Sequence, residues 1–246
     1  MSDSLPPEKQ TLPEMLRDLV IANRILGHEH VVDVYGHISM RHPDNPDHYF
    51  MSCSRAPALV TLDDILEFHV DGTPIDARGR LLYAERAIHG SIYAKRPDVG
   101  SVCHNHSAPL IPFGVTGTAL RAIFHIGSVI GTNVPVWDIR TEFGDTSLLV
   151  VRPDTGASLA KALGNNRVAL LRGHGAVVVG RGVREAVYIA IQTQNNAQLQ
   201  LASHALGTPV YLSPGEVEEA AKIMLQPLSM ERSWRLWAHD AGFPAG

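Results

Sequence analysis

Short apolar runs of strand length alternate with longer stretches of helical periodicity along this 246-residue sequence, and no repeat, low-complexity tract or linker divides them. Interleaving of that kind predicts one layered α/β domain rather than separate helical and sheet units. The helical expectations are Thr11 to Leu26, Leu82 to Lys95, Asp154 to Leu163 and Val183 to Leu206. Thr11 can cap the first, with Pro13 tolerated in its first turn, and Gly27, Gly164 and Gly207 stop three of the four. Thr61 and Asp64 start a brief helical turn, and Ser213-Pro214-Gly215-Glu216 has the spacing of a capping box. Strands are expected at Ile38 to Met40, Tyr49 to Ser52, Val99 to Cys103, Val168 to Leu171 and Ala176 to Val179. Phe68 to Val70, turning at Asp71-Gly72 into Pro74-Ile75, reads as a hairpin. Residues 1 to 10 read as a disordered lead-in to a domain over residues 11 to 246.

Composition removes several classes of function. Hydrophobic residues at 45% and charged residues at 19% are the proportions of a globular chain with a substantial core. A net charge of -4 with no basic run makes nucleic acid a poor partner. No apolar run approaches a membrane span, and the first residues lack a basic stretch followed by an apolar one, so a cytoplasmic, membrane-free protein is expected. Cys53 and Cys103 are too few for a disulfide framework and read as free thiols.

Histidine carries the chemistry. His104 and His106 close a short apolar strand, and an i, i+2 pair at a strand end points both imidazoles to one side. His174 sits in the turn Arg172-Gly173-His174-Gly175, whose glycines allow a tight approach that can bring in a third ring. Three neutral nitrogens with open positions suit Mn, Zn, Fe or Co and leave room for a substrate, whereas three unrelated surface histidines would need no such pattern. Glu85 and His89, four apart on an expected helix, share a stripe with Ile88 and Ile92. A carboxylate there is either an acid/base group beside the metal or the partner of Arg86 or Arg96 at the surface, and His89 reads as a hydrogen-bonded core histidine. Ser52-Cys53-Ser54-Arg55 is either an anion cradle, with Ser52, Ser54 and the Arg55 fork gripping a carboxylate or phosphate, or a solvated turn. His37 and His125 each lie among apolar residues and glycine, as structural histidines or as parts of the site.

Taken together and in order, these segments resemble the class II aldolase/adducin family over roughly residues 11 to 207. The matching elements are Gly36-His37-Ile38-Ser39-Met40-Arg41, the loop Ser52 to Arg55, Glu85 with His89, His104-Asn105-His106, and Leu170-Leu171-Arg172-Gly173-His174-Gly175. The resemblance implies a three-layer α/β/α domain around a mixed central sheet. It further implies metal ligation by His104, His106 and His174, an acid/base role for Glu85, and assembly as a ring, commonly a homotetramer, with sites between subunits.

Departures from the sugar-phosphate aldolases of that family bear on the substrate. Where those enzymes place two phosphate-binding serines before the glutamate, this chain has Tyr83 and Ala84; a glycine of their anion loop is Arg55, and an asparagine is His37. A tyrosine that they contribute from the neighbouring subunit corresponds to His125. Together with Pro112-Phe113-Gly114-Val115, these changes are similar to the decarboxylase branch, which includes hydroxypyridine-dicarboxylate and dihydroxyphthalate decarboxylases. The expected reaction is loss of CO2 from an ortho-hydroxy aromatic carboxylate in aromatic catabolism, using one divalent metal per subunit. His125 is favoured as proton donor, Glu85 supports it, and His37 is a further candidate. Alternatives are an aldolase or lyase on a non-phosphorylated hydroxy-keto acid, an Fe(II) oxygenase on an aromatic acid, and an adducin-like interaction module without chemistry.

Overall fold

The computed structural model describes residues 10–243, so all but Gln10 of the expected lead-in lies outside the described residues. Seven strands form one sheet: β1 (His37–Arg41), β2 (His48–Ser52), β3 (Ile65–His69), β4 (Ser101–Asn105), β5 (Val136–Trp137), β6 (Val168–Leu171) and β7 (Gly175–Gly180). Their spatial order is β3-β2-β1-β4-β7-β6-β5. Every neighbouring pair is antiparallel except β5 with β6, so the sheet is mixed, as expected. The helices are α1 (Leu12–His28), α2 (Arg86–Lys95), α3 (Ile111–Val115), α4 (Arg140–Phe143), α5 (Pro153–Leu163), α6 (Val183–Leu206), α7 (Pro214–Met224) and α8 (Pro227–Asp240).

Strand alternation divides the interior into two cores. Along β6, Val168 and Leu170 point to one face and Ala169 and Leu171 to the other; along β7, Val178 opposes Val177 and Val179. On the first face these residues, with Ile38, Met40 and Cys103, meet Leu19, Ile25 and Leu26 of α1, Val187 and Ile189 of α6, and Trp234 of α8. On the second, Met51, Phe68 and Val102 meet Ile88 and Ile92 of α2 and Leu159 and Leu163 of α5. A fully buried Leu, Ile or Phe contributes roughly 1.5–3 kcal/mol, so a sheet covered on both sides holds its strands firmly. The result is the expected three-layer α/β/α arrangement. Among the described residues, no helix is long and apolar enough to cross a membrane.

Three expectations differ. α1 runs through Gly27, which was expected to stop it, and ends at His28. The hairpin after β3 is reduced to a single bridge, Phe68 with Pro74. The helix expected from Leu82 starts instead at Arg86, so Glu85 is its N-cap residue (φ -90°, ψ 28°) and not part of an interior apolar stripe. The preceding segment is held to the Ser52–Arg55 loop: the Ser54 backbone N–H donates to the Leu81 carbonyl (2.8 Å), and the Tyr83 hydroxyl donates to the Arg55 carbonyl. Those bonds hold the segment before α2 against the loop, and Glu85 sits at the N-terminus of α2.

Candidate active site

β1 and β4 pair with His37 opposite His104, and β4 pairs with β7 with His104 opposite Val177. Because His104 lies two residues beyond Val102, it faces the α2 layer. Past the strand end, His106 turns to the same place, and the β6–β7 turn delivers His174. Glycine makes that turn possible: Gly173 adopts φ +67°, and a Cβ on Gly175 would lie 2.1 Å from the Asn105 carbonyl oxygen. Glu85 enters from the α2 N-terminus. One ligand atom from each of Glu85, His104, His106 and His174 lies within 4.8 Å of the others.

The donor chemistry of this cluster fits a cation. His104 Nδ1 lies 3.1 Å from the Ala176 carbonyl oxygen, which can only accept, so the ring proton is on Nδ1 and Nε2 holds a lone pair. His106 Nδ1 lies 3.1 Å from both oxygens of Asp33, which assigns its tautomer in the same way. Two lone pairs therefore face each other, with the Nε2 atoms 3.1 Å apart. Glu85 Oε2 adds a third acceptor, 3.6 Å from His104 Nε2 and 3.6 Å from His174 Nε2. Three converging acceptors, with the His174 ring beside them, repel one another unless a positive charge sits among them. Glu85 is buried, and burial disfavours its ionised form unless a positive charge compensates. Its other oxygen accepts the Val150 backbone N–H (2.8 Å), which fixes the carboxylate plane. Imidazole nitrogen and carboxylate oxygen together suit Mn, Zn, Fe or Co.

Asp33 was not singled out in the sequence. It also accepts the backbone N–H groups of Tyr35 (2.8 Å) and Gly36 (2.9 Å), so it pins the loop before β1 and the His106 ring together. A single aspartate in a loop has no periodicity to mark it. The surface ion pair considered for Glu85 does not form: Arg86 donates to the carbonyls of Gly72 and Tyr83, and Arg96 pairs with Asp98.

The cluster opens into a cavity of about 870 Å³. Glu85, His106 and His174 line it, together with His37, Ser54 and Arg55. Tyr35, Tyr83, Leu148 and Leu149 supply apolar wall. Arg55 is half-exposed and sits 3.4 Å from Asp64, which also binds Arg80 at 3.0 Å, so two guanidinium groups share one carboxylate and a positive charge remains. Ser52 is not in the wall. It is fully buried, and its hydroxyl has no hydrogen-bond partner among the described residues. It is the last residue of β2, whereas Ser54 and Arg55 lie in the exposed loop beyond the strand. His125 is exposed at the start of a 3-10 turn (Ile126–Ile130) and does not line the cavity of its own chain. A second cavity of about 910 Å³, lined by Arg96, Arg167, Glu185 and Lys222 among others, contains none of the expected site residues. His89 is a core histidine, as expected, bonded to His37 (2.7 Å) and Ser39 (2.6 Å).

Comparison with known proteins agrees with this geometry. The profile of the class II aldolase and adducin N-terminal domain matches residues 17–201. The decarboxylase tropJ of Talaromyces stipitatus is 34% identical, over 92% of this chain and 93% of its own length. The 3,4-dihydroxyphthalate decarboxylase of Arthrobacter keyseri is 29% identical, over 77% of this chain and 78% of its own. Among solved structures, an L-fuculose 1-phosphate aldolase from Glaciozyma antarctica PI12 superposes with a TM-score of 0.76 at 25% identity, covering 96% of this chain and 93% of that one. With its histidine cluster, its N-cap glutamate and these relatives, the chain belongs to the class II aldolase and adducin N-terminal domain family, on its decarboxylase branch, and is a lyase.

Proposed function

We propose that this lyase is a divalent-metal-dependent decarboxylase of an ortho-hydroxy aromatic carboxylate or dicarboxylate, on a benzene or pyridine ring, acting in aromatic catabolism in the cytoplasm. The observation that carries the reading is one cavity lined by Glu85, His106 and His174 of the cluster, by Arg55, and by Tyr35, Tyr83, Leu148 and Leu149. A flat ring with an oxygen pair at one edge and a carboxylate at the other matches that layout. The 3,4-dihydroxyphthalate named for one relative is a compound of this type. Tyr83 and Ala84 line the wall where a phosphate would need donors, which disfavours a sugar phosphate.

His104, His106 and His174 would hold the metal, with Glu85 beside it. A bound divalent ion supplies Lewis-acid stabilisation of developing negative charge on the ring oxygen, worth several kcal/mol. Arg55 and Ser54 orient the substrate through a second carboxylate or the leaving one. Direct loss of CO2 from an aromatic ring leaves an unfavourable in-plane carbanion. Protonation of the ring carbon first, as the adjacent phenolate becomes a ketone, makes a β-keto acid whose CO2 loss returns electrons to oxygen. We assign that proton to His125 from a neighbouring subunit of a homotetramer, with Glu85 positioned to support the transfer.

The test is a screen of ortho-hydroxy aromatic mono- and dicarboxylates against protein loaded with Mn, Zn, Fe or Co. CO2 and oxygen would be followed together. CO2 release without oxygen uptake is the expected result. Coupled oxygen consumption would transfer the assignment to an Fe(II) oxygenase, and turnover restricted to hydroxy-keto acids would transfer it to an aldolase.

A further inference from the structure

Behind the cavity wall, four buried side chains form an unbroken chain of hydrogen-bonding groups. Tyr93 Oη lies 2.7 Å from Ser39 Oγ, Ser39 Oγ lies 2.6 Å from His89 Nδ1, and His89 Nε2 lies 2.7 Å from His37 Nδ1. His89 and Tyr93 are four apart on α2, and His37 and Ser39 are two apart on β1. Four helical residues rise about 6 Å and two strand residues about 6.6–6.8 Å, so the helix and strand stay in step along the ladder. All four residues are at most 1% exposed.

A chain of neutral groups has two polarities, and here the inventory of protons selects one. The Tyr93 hydroxyl proton must be accepted somewhere, because an orphaned buried donor costs roughly 1–3 kcal/mol. Among the described residues its one acceptor within reach is Ser39 Oγ. The Val102 backbone N–H beside the phenol is itself a donor. Tyr93 therefore donates to Ser39, and Ser39 passes its own proton to His89 Nδ1. His89 must then be protonated on Nε2, which donates to His37 Nδ1. The reverse polarity would have Ser39 donating to Tyr93 and would strand the phenolic proton. Both rings are buried, and neither has a carboxylate hydrogen-bonded to it to offset the cost of burying a charged imidazole, so both are neutral.

We infer that Tyr93, Ser39 and His89 lock His37 as the tautomer protonated on Nε2, so that it presents a hydrogen-bond donor, not a lone pair, to the cavity. The three act through His37 and are positioning residues. His37 lines the cavity, and with Nδ1 committed to His89 its Nε2–H is the group left to face a ligand. The matching ligand atom is an acceptor, such as a carboxylate or carbonyl oxygen; that this ligand is the aromatic acid rests on the decarboxylase reading. A resting His37 of this kind cannot serve as a general base.

The tautomer can be read directly from long-range 1H–15N spectra of the Zn(II)-loaded protein labelled with 15N-histidine. The His37 signals would be identified by their loss in His37→Gln. The expected pattern is a protonated Nε2 and an unprotonated Nδ1. The opposite pattern, or two protonated nitrogens, overturns the inference. Ser39→Ala removes the donor to His89 Nδ1 and should shift His37 toward a mixture of tautomers, whereas Ser39→Thr keeps a hydroxyl and should preserve the original signature. An unchanged spectrum in folded Ser39→Ala would show that the ladder does not set the tautomer. If either variant fails to fold, the wild-type spectrum decides alone. Failure of the CO2 screen leaves this measurement untouched, so the two readings stand or fall separately.

Discussion

At the residue scale, His106 shows how a candidate metal ligand is held as well as placed. Its Nδ1 donates to a carboxylate that is itself fastened by two backbone N–H groups, so ring and loop move together. Outer partners of this kind typically change metal affinity by about 10–100-fold when removed. Asp33→Asn should weaken metal binding within that range while the melting temperature of the metal-free protein changes little; metal titration and calorimetry check both. An unchanged affinity would leave Asp33 as a loop anchor only. Replacing His104, His106 or His174 with Ala should cost the metal itself. Arg55 tests another part of the cavity lining. A planar guanidinium fork can grip a carboxylate through two parallel bonds, which an ammonium cannot reproduce. Arg55→Lys should raise KM by roughly tenfold, equivalent to about 1.4 kcal/mol, with metal content intact. Wild-type kinetics in Arg55→Lys would reduce the loop to the solvated turn that its sequence also allows.

At the element scale, the site depends on how closely β4 and β7 approach. Gly175 leaves no room for a side chain, since its Cβ would meet the Asn105 carbonyl at 2.1 Å. Gly175→Ala must push the strand ends apart, and with them His174 from His104. Overpacking of this sort costs roughly 1–3 kcal/mol, and here the expected signature is a lowered melting temperature together with lost metal affinity. A stable, metal-replete variant would show that the turn has slack. The same elements explain what could be read from the chain in advance. α6 was legible to its ends, because Gly207 and the apolar run mark both. The strand pairs were legible because alternation on a doubly covered sheet is strong. The start of α2 was not, because the apolar spacing from Leu82 continues the helical pattern while tertiary bonds from Tyr83 and Ser54 override it. β5, two residues long, carried too little pattern to be placed. The three histidines could be found by spacing. Asp33, Asp64 and the Val150 N–H could not, because each acts through a contact distant in sequence.

At the scale of the whole molecule, the chain gathers a Glu85 and histidine cluster that could hold a metal and a cavity that Arg55 lines, but does not bring His125 to them. His125 is exposed at a turn, away from the lining of its own cavity. If a neighbouring subunit supplies it, two defective chains can complement each other, because a head-to-tail ring lets one subunit's ligands meet the next subunit's donor. His125→Ala alone should lower kcat strongly while metal content and oligomer size stay the same. His174→Ala alone should lose the metal. In oligomers mixed at random from equal amounts of the two, half of the sites keep their ligands, and half of those face an intact His125, so roughly a quarter of wild-type activity should return. Unfolding and refolding the two proteins together, then assaying CO2 release against each refolded alone, measures the recovery. No recovery from an intact mixed oligomer would mean that His125 serves no neighbour. A shift to smaller species in His125→Ala would instead make it an interface residue. In either case the proton for the ring carbon would have to come from Glu85, or from the Nε2–H that His37 holds toward the cavity.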